Sequence, residues 1–167
     1  MYNLFKITMK RSATIFLQAV VVLIGFGVLT FLLWEPTVEG VNANATLSQI
    51  YFDDPFLLYA YSASIFFFLA VYQSFVLLGY IGRNEMFSQH AVKALRTLKY
   101  CAMAIVALTA APIAYLFVVR PGDDIAGGVA MGLFITFVSA VVATNAAVHE
   151  RIWQKGIDIK TENDLTV

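Results

Sequence analysis

Two histidines, one cysteine and two pairs of adjacent aspartates are the residues best equipped for chemistry in this 167-residue chain. His90 and His149 both fall at the expected cytoplasmic edge of the membrane, near helix ends. Brought together they could bind a metal or sense pH, because imidazole titrates near neutrality and is a common metal ligand. No third ligand accompanies them in the sequence, so two solvated helix ends are the favoured expectation. Asp53-Asp54 and Asp123-Asp124 could share a cation through their oxygens. Each pair stands just ahead of a helical stretch, and capping of that helix is the preferred reading. Cys101 is the only cysteine, which excludes an internal disulfide or a cysteine metal cluster and leaves a small packing residue. Gln18 and Gln73, the most polar residues of the first two apolar runs, are expected to hydrogen-bond a neighbouring helix rather than line a cavity. The sequence holds no nucleophile–base pair, phosphate loop or metalloprotease motif. The reading is therefore of a non-enzymatic protein with no catalytic residue, cofactor or metal, and with no direct nucleic acid binding.

The elements that position these residues follow from where charge is missing. The chain is 60% hydrophobic and 13% charged, against about 25% charged in soluble domains. Residues 12–34, 56–82, 100–119 and 125–149 contain no Asp, Glu, Lys or Arg. Crossing the hydrocarbon core of a bilayer takes about 20 apolar residues as a helix, so four spans are expected. None carries a mid-membrane ionisable group, the usual mark of a proton relay or a charged-substrate exporter. Ten of the eleven Lys and Arg residues lie in 1–11, 83–99 and 150–167, and Arg120 is the exception. Short loops rich in Lys and Arg stay in the cytoplasm, which predicts a plasma-membrane protein with both termini inside. The 23-residue first run exceeds the roughly 7–15 residues of a signal-peptide core. Asn44-Ala45-Thr46 in the outer loop is a formal glycosylation acceptor, read as a chance match.

The expected fold is an all-α membrane protein, a single domain of four helices at about 12–34, 56–82, 88–119 and 125–149 in an up-and-down bundle. An outer loop covers 35–55 and a cytoplasmic tail 150–167. Pro36 is expected to stop the first helix, and Asp54-Pro55 reads as a cap followed by proline at the first helical position. Ser88 is a candidate cap for the third helix, in which Ala91, Val92, Leu95 and Leu98 line one face opposite Lys93 and Arg96. That face is expected to lie at the lipid headgroups. Pro112 is expected to bend the third helix, and Asp124 to cap the fourth. The tail reads as polar and partly flexible, with Ile152, Trp153, Ile157 and Ile159 able to rest on the membrane surface.

Helix packing has its own signal. Gly128, Gly132, Thr136, Ala140 and Thr144 recur every four positions on one face of the fourth helix, with Ser139, Ala143 and Ala147 as a second stripe. In lipid, close approach over small residues supplies much of the association between helices. The expected partner is the third helix, through Ala107, Ala111 and Tyr115, or a second copy of the chain.

The inner loop 81–88 (Ile-Gly-Arg-Asn-Glu-Met-Phe-Ser), the following Val92-Lys93-Ala94-Leu95-Arg96 and the end 162–167 (Glu-Asn-Asp-Leu-Thr-Val) resemble a prokaryotic family of four-helix membrane proteins catalogued as domain of unknown function 2975. The similar region covers roughly the second half of the chain. Members share a short loop with Phe-Ser or Phe-Thr, then Leu-Arg, and an Asp-Leu-Thr-hydrophobic end; this chain has Asn84-Glu85-Met86 where members often have Gly-x-Pro. The resemblance implies no established activity. Members are often encoded beside a small helix-turn-helix regulator, which implies a regulatory protein as partner. Phe87, Ser88, Arg96, Asp164 and Leu165 are the candidate docking residues: Phe87 anchors the loop between helix ends, and Arg96 meets a lipid phosphate or a tail carboxylate such as Glu162 or Asp164. The expected function is a sensor or regulatory partner acting through the cytoplasmic loop and tail. The alternatives are a small oligomeric transport or pore-forming subunit and an accessory subunit of a larger membrane complex.

Overall fold

Long apolar runs leave the backbone to satisfy its own hydrogen bonds as helix, and four helices make up nearly all of the described residues. The structure, a computed structural model, describes residues 11–38, 46, 48, 55–119 and 126–165. The helices are α1 (Arg11–Val38), α2 (Pro55–Gly82), α3 (Gln89–Val119) and α4 (Ala126–Leu165). All four are long and apolar enough to cross a membrane. Pro55 opens α2 as expected. Of the expected outer loop 35–55, residues 35–38 belong to α1 and 55 to α2, while 39–45, 47 and 49–54 lie outside the described residues, as do the outer turn at 120–125 and the aspartate caps.

Contacts between consecutive helices run in opposite directions along the two partners, which makes the chain an up-and-down array. Thr14 packs on Gly82 near one end of the α1–α2 pair, Gln18 Nε2 donates to the Phe75 carbonyl at 3.1 Å, and Tyr61 Oη donates to the Leu32 carbonyl at 3.0 Å near the other. Tyr59 Oη donates to the Leu108 carbonyl across α2 and α3. On α3 and α4, Thr109 and Thr136 hydroxyls are 2.7 Å apart. The extensive interfaces are α1–α2, α2–α3 and α3–α4, so the array is open rather than closed by α1 against α4. Thr30, Ser62, Ser74 and Thr109 return their hydroxyls to carbonyls one turn back in their own helices, which lowers the cost of placing them in lipid.

Three expectations are corrected. Pro36 does not stop α1, which runs on to Val38; the lost N–H bond and the ring's crowding of the preceding turn act on a helix that continues only two residues further. The tail is no loose segment: α4 is one helix of 40 residues, about 60 Å at 1.5 Å per residue, twice the roughly 30 Å hydrocarbon thickness. The apolar face at the start of α3 does not rest on lipid headgroups as its cover, because protein covers it. Ala91, Val92, Leu95 and Leu98 are buried with Ala146 and Trp153 of α4, and Ala70, Leu77, Tyr80, Ile81, Met86 and Ile157 pack around them. The α4 extension covers this face, while Lys93 and Arg96 stay exposed.

Gly132 is a point of close approach. A β-carbon there would lie 2.8 Å from Ile113 Cδ1 and 3.0 Å from Cγ1. Alanine can be fitted if the isoleucine end shifts, but Gly132→Leu is expected to force α3 and α4 apart, at about 1–3 kcal/mol for overpacking. Thermal unfolding in detergent checks it; an unchanged midpoint would show that the contact is not tight.

Candidate functional site

The best-buried part of the molecule lies at the end that carries the α2–α3 loop, called the basic end below. Its architecture starts with how α2 stops. Asn84 adopts a left-handed conformation, φ 59°, which asparagine tolerates better than most residues. The Glu85 N–H donates to the Tyr80 carbonyl at 2.8 Å and the Asn84 N–H to the Ile81 carbonyl at 3.0 Å. These two bonds form a Schellman cap that satisfies orphan carbonyls. Four residues on, the Ser88 hydroxyl accepts the Ala91 N–H at 3.2 Å, an N-cap that starts α3. The loop is thus held by caps at both ends.

Between the caps stands Phe87. Its ring lies over α4 at Gly156: a β-carbon on that glycine would be 2.7 Å from ring atoms Cδ1 and Cε1. Only a residue without a side chain lets the ring approach so closely. Trp153, one turn earlier on α4, is buried in the adjoining core, and the His149 ring meets its edge at 6.3 Å between centroids.

One turn before Trp153 comes an ion cluster. Glu150 accepts from Arg96 Nε and from Lys99 Nζ, both at 2.7 Å. The Glu150 side chain is only 12% exposed and that of Lys99 20%. The Arg96 side chain is 54% exposed. Arg151 makes no ion pair among the described residues. An exposed Arg83–Glu85 pair at 3.0 Å lies on the loop itself, with Arg83 also 5.1 Å from the centroid of the Tyr80 ring.

The proposed docking residues therefore divide. Phe87, Ser88 and Arg96 share the basic end with α4, but the carboxylate that Arg96 meets is Glu150. Asp164 and Leu165 end α4, and their side chains lie outside the described residues. The small-residue stripe divides too. Gly132 and Thr136 pack toward α3, whereas no atom comes within 4 Å of a β-carbon built on Gly128, and Ala140 and Thr144 line an open groove. Ser139, Ala143 and Ala146 are the residues of α4 that are buried there. His90 stacks on Tyr80 with centroids 6.5 Å apart, while His149 Nδ1 lies 2.8 Å from the Asn145 carbonyl, so each ring has its own partners. Among the described residues no three His, Cys, Asp or Glu side chains cluster as a metal site would require.

Residues 17–167 match the family described as Protein of unknown function (DUF2975). The chain belongs to the DUF2975 family. The match begins within α1, so the likeness extends well beyond the second half of the chain in which the sequence motifs lie. The chain is 39% identical over 160 residues to the Uncharacterized membrane protein YoaS of Bacillus subtilis (strain 168), an alignment covering 95% of this chain and 100% of the relative. No solved structure matches. The likeness to a membrane protein and four helices long and apolar enough to cross a bilayer together make the chain a multi-pass membrane protein. Glu150 and Gly156 were not singled out in the sequence, although the first is the first charge after a 25-residue uncharged run and the second a lone glycine inside a helix, a signal of close approach.

Proposed function

We propose that this DUF2975 protein is a non-enzymatic membrane anchor that presents a rigid cytoplasmic surface to a soluble regulatory protein. The observation that carries the reading is α4 beyond His149. Its remaining 16 residues, 150–165, project about 24 Å past the apolar run. The core around Trp153 and the Phe87 contact hold this extension. Its outer face carries Ile152 and Ile159, 54% and 60% exposed; seven residues apart, they lie on one stripe. Lys155, also exposed, lies on the same stripe. Ile159 is about 15 Å beyond His149 along the axis, outside the hydrocarbon, where an exposed isoleucine on a held helix suits an apolar partner surface. The excess of Lys and Arg at this end favours a cytoplasmic position for it, and the low polarity of the described interhelical surfaces favours anchoring over transport.

A photo-crosslinking residue at Lys155 in the full-length protein in cells should give a discrete adduct with a soluble protein. Ile159→Glu should abolish it, and the same probe at Thr161, on the opposite face, should not give it. Deleting 163–167 should weaken the adduct and leave the helices intact. Equal adducts at Lys155 and Thr161, or none at either, would refute the docking face. In a Cys101→Ser background, a cysteine at Gly122 should react with an impermeant thiol reagent from outside and one at Glu85 should not; the reverse result would overturn the orientation.

A further inference from the structure

A groove between α3 and α4 is lined at depth by Ala110, Val106 and Ala140, and at its mouth by Lys99 and Arg151. Alanines on both helices, Ala107, Ala110, Ala140, Ala143 and Ala147, line it with short side chains that leave the space. Its volume is about 580 Å³, within the range of about 300–1,000 Å³ typical of small-molecule sites. From Lys99 to Ala110, and from Arg151 to Ala140, is eleven residues on each helix, or about 16 Å along the axes. That matches the roughly 15 Å depth of one leaflet, half the hydrocarbon core. The apolar part therefore has the length of an acyl chain lying in its own leaflet, and the mouth falls at headgroup level.

Charge at the mouth points to the headgroup. Lys99 and Arg151 line it, and with Arg96 and Glu150 of the adjoining ion cluster the group carries three positive charges and one negative, a net of +2. Glu150 is already shared by Arg96 and Lys99, which leaves Arg151 without an ion-pair partner among the described residues. Basic sites between spanning helices at a headgroup surface suit anionic lipids. We propose that the α3–α4 groove is a specific site for one phospholipid with a net-negative headgroup, its phosphate held by Arg151 with Lys99 and one acyl chain lying against Val106, Ala110 and Ala140. A second copy of the chain would leave the mouth charges facing each other, and a soluble phosphate would leave the apolar length unused.

Native mass spectrometry of the full-length protein in detergent, supplied with phosphatidylglycerol or phosphatidylcholine, tests the site. One phosphatidylglycerol per chain should be retained in preference to phosphatidylcholine, and glycerol phosphate should not displace it. Arg151→Gln should reduce retention about tenfold by removing the free cation. Ala140→Phe, which fills the groove from an exposed position, should do the same without altering helix content. Arg151→Gln keeps the test decisive if Ala140→Phe fails to fold. Equal retention of both lipids, unchanged retention in Arg151→Gln, displacement by glycerol phosphate, or a dimer that Ala140→Phe dissociates with no change in lipid would each overturn the proposal.

Discussion

Glu150→Ala is expected to destabilise the protein more than loss of any other acid among the described residues. Glu150 holds Lys99 and Arg96 together, both at 2.7 Å. Its own side chain and that of Lys99 are 12% and 20% exposed, so water cannot readily replace the lost bonds. Leaving a largely buried ammonium without its acceptor costs about 1–3 kcal/mol, and in a chain of this length each kcal/mol lowers the unfolding midpoint by about 2–4 °C. The internal control is Glu85→Ala. That carboxylate pairs with Arg83 at 3.0 Å, but the two side chains are 60% and 51% exposed. An exposed pair contributes about 0–1 kcal/mol and weakens with salt, so Glu85→Ala should be nearly silent. Removing both partners, Lys99→Ala with Glu150→Ala, should cost less than the sum of the single changes, because the unpaired ammonium goes with its partner. Thermal unfolding of the four variants in one detergent decides. Equal shifts for Glu85→Ala and Glu150→Ala would show that Glu150 is effectively solvated and the cluster is not a structural joint.

The spans were legible in the sequence because uncharged runs of at least 20 residues admit few other structures. Ser88 was legible too: a hydroxyl before an apolar helical pattern is a local signal, and its oxygen caps α3. What could not be read was where polar helix continues once the hydrophobic signal stops. Glu150 through Leu165 has no long charge-free run, yet it stays helical because one face, Trp153, Gly156 and Ile157, is buried against α3 and the loop. That is a tertiary cause, invisible to hydropathy. The same burial explains the misplaced face of Ala91, Val92, Leu95 and Leu98: an amphipathic segment beside a membrane has two possible apolar covers, lipid or protein, and sequence pattern does not choose between them. The sequence points Arg96 to a tail carboxylate but not to which one: Glu150 rather than Glu162 or Asp164 is its partner, because the pairing follows from α3 and α4 being antiparallel neighbours in a particular register. Spacing of four likewise found Gly132 but could not say that Ala140 and Thr144, on the same stripe, face a groove.

Exchanging the sizes of Phe87 and Gly156 should separate the joint that holds the loop from the helices it joins. Gly156→Leu alone places carbon where the Phe87 ring now lies, since even a β-carbon would be 2.7 Å from it. The loop on either side of the ring is fixed by caps at 84 and 88, so the ring can give way only by changing rotamer and leaving its contact with α4. Overpacking of this kind costs about 1–3 kcal/mol, although replacing a glycine inside a helix would by itself gain about 1 kcal/mol of helix propensity. Phe87→Ala alone removes the ring and uncovers the α4 backbone. In the double variant the introduced leucine side chain fills the space that the ring vacates. The combined change should therefore cost less than the sum of the two, with a coupling of at least about 1 kcal/mol, the size seen for side chains in direct contact. Strict additivity would show that the ring does not pack on Gly156. The functional consequence can be read in the same variants. If the held extension presents Ile152 and Ile159 to a partner, Gly156→Leu should reduce crosslinking from Lys155, a residue that the substitution does not alter, and Phe87→Ala in the same chain should restore part of it. Rescue of stability without rescue of crosslinking would mean that the Phe87 ring itself belongs to the docking surface.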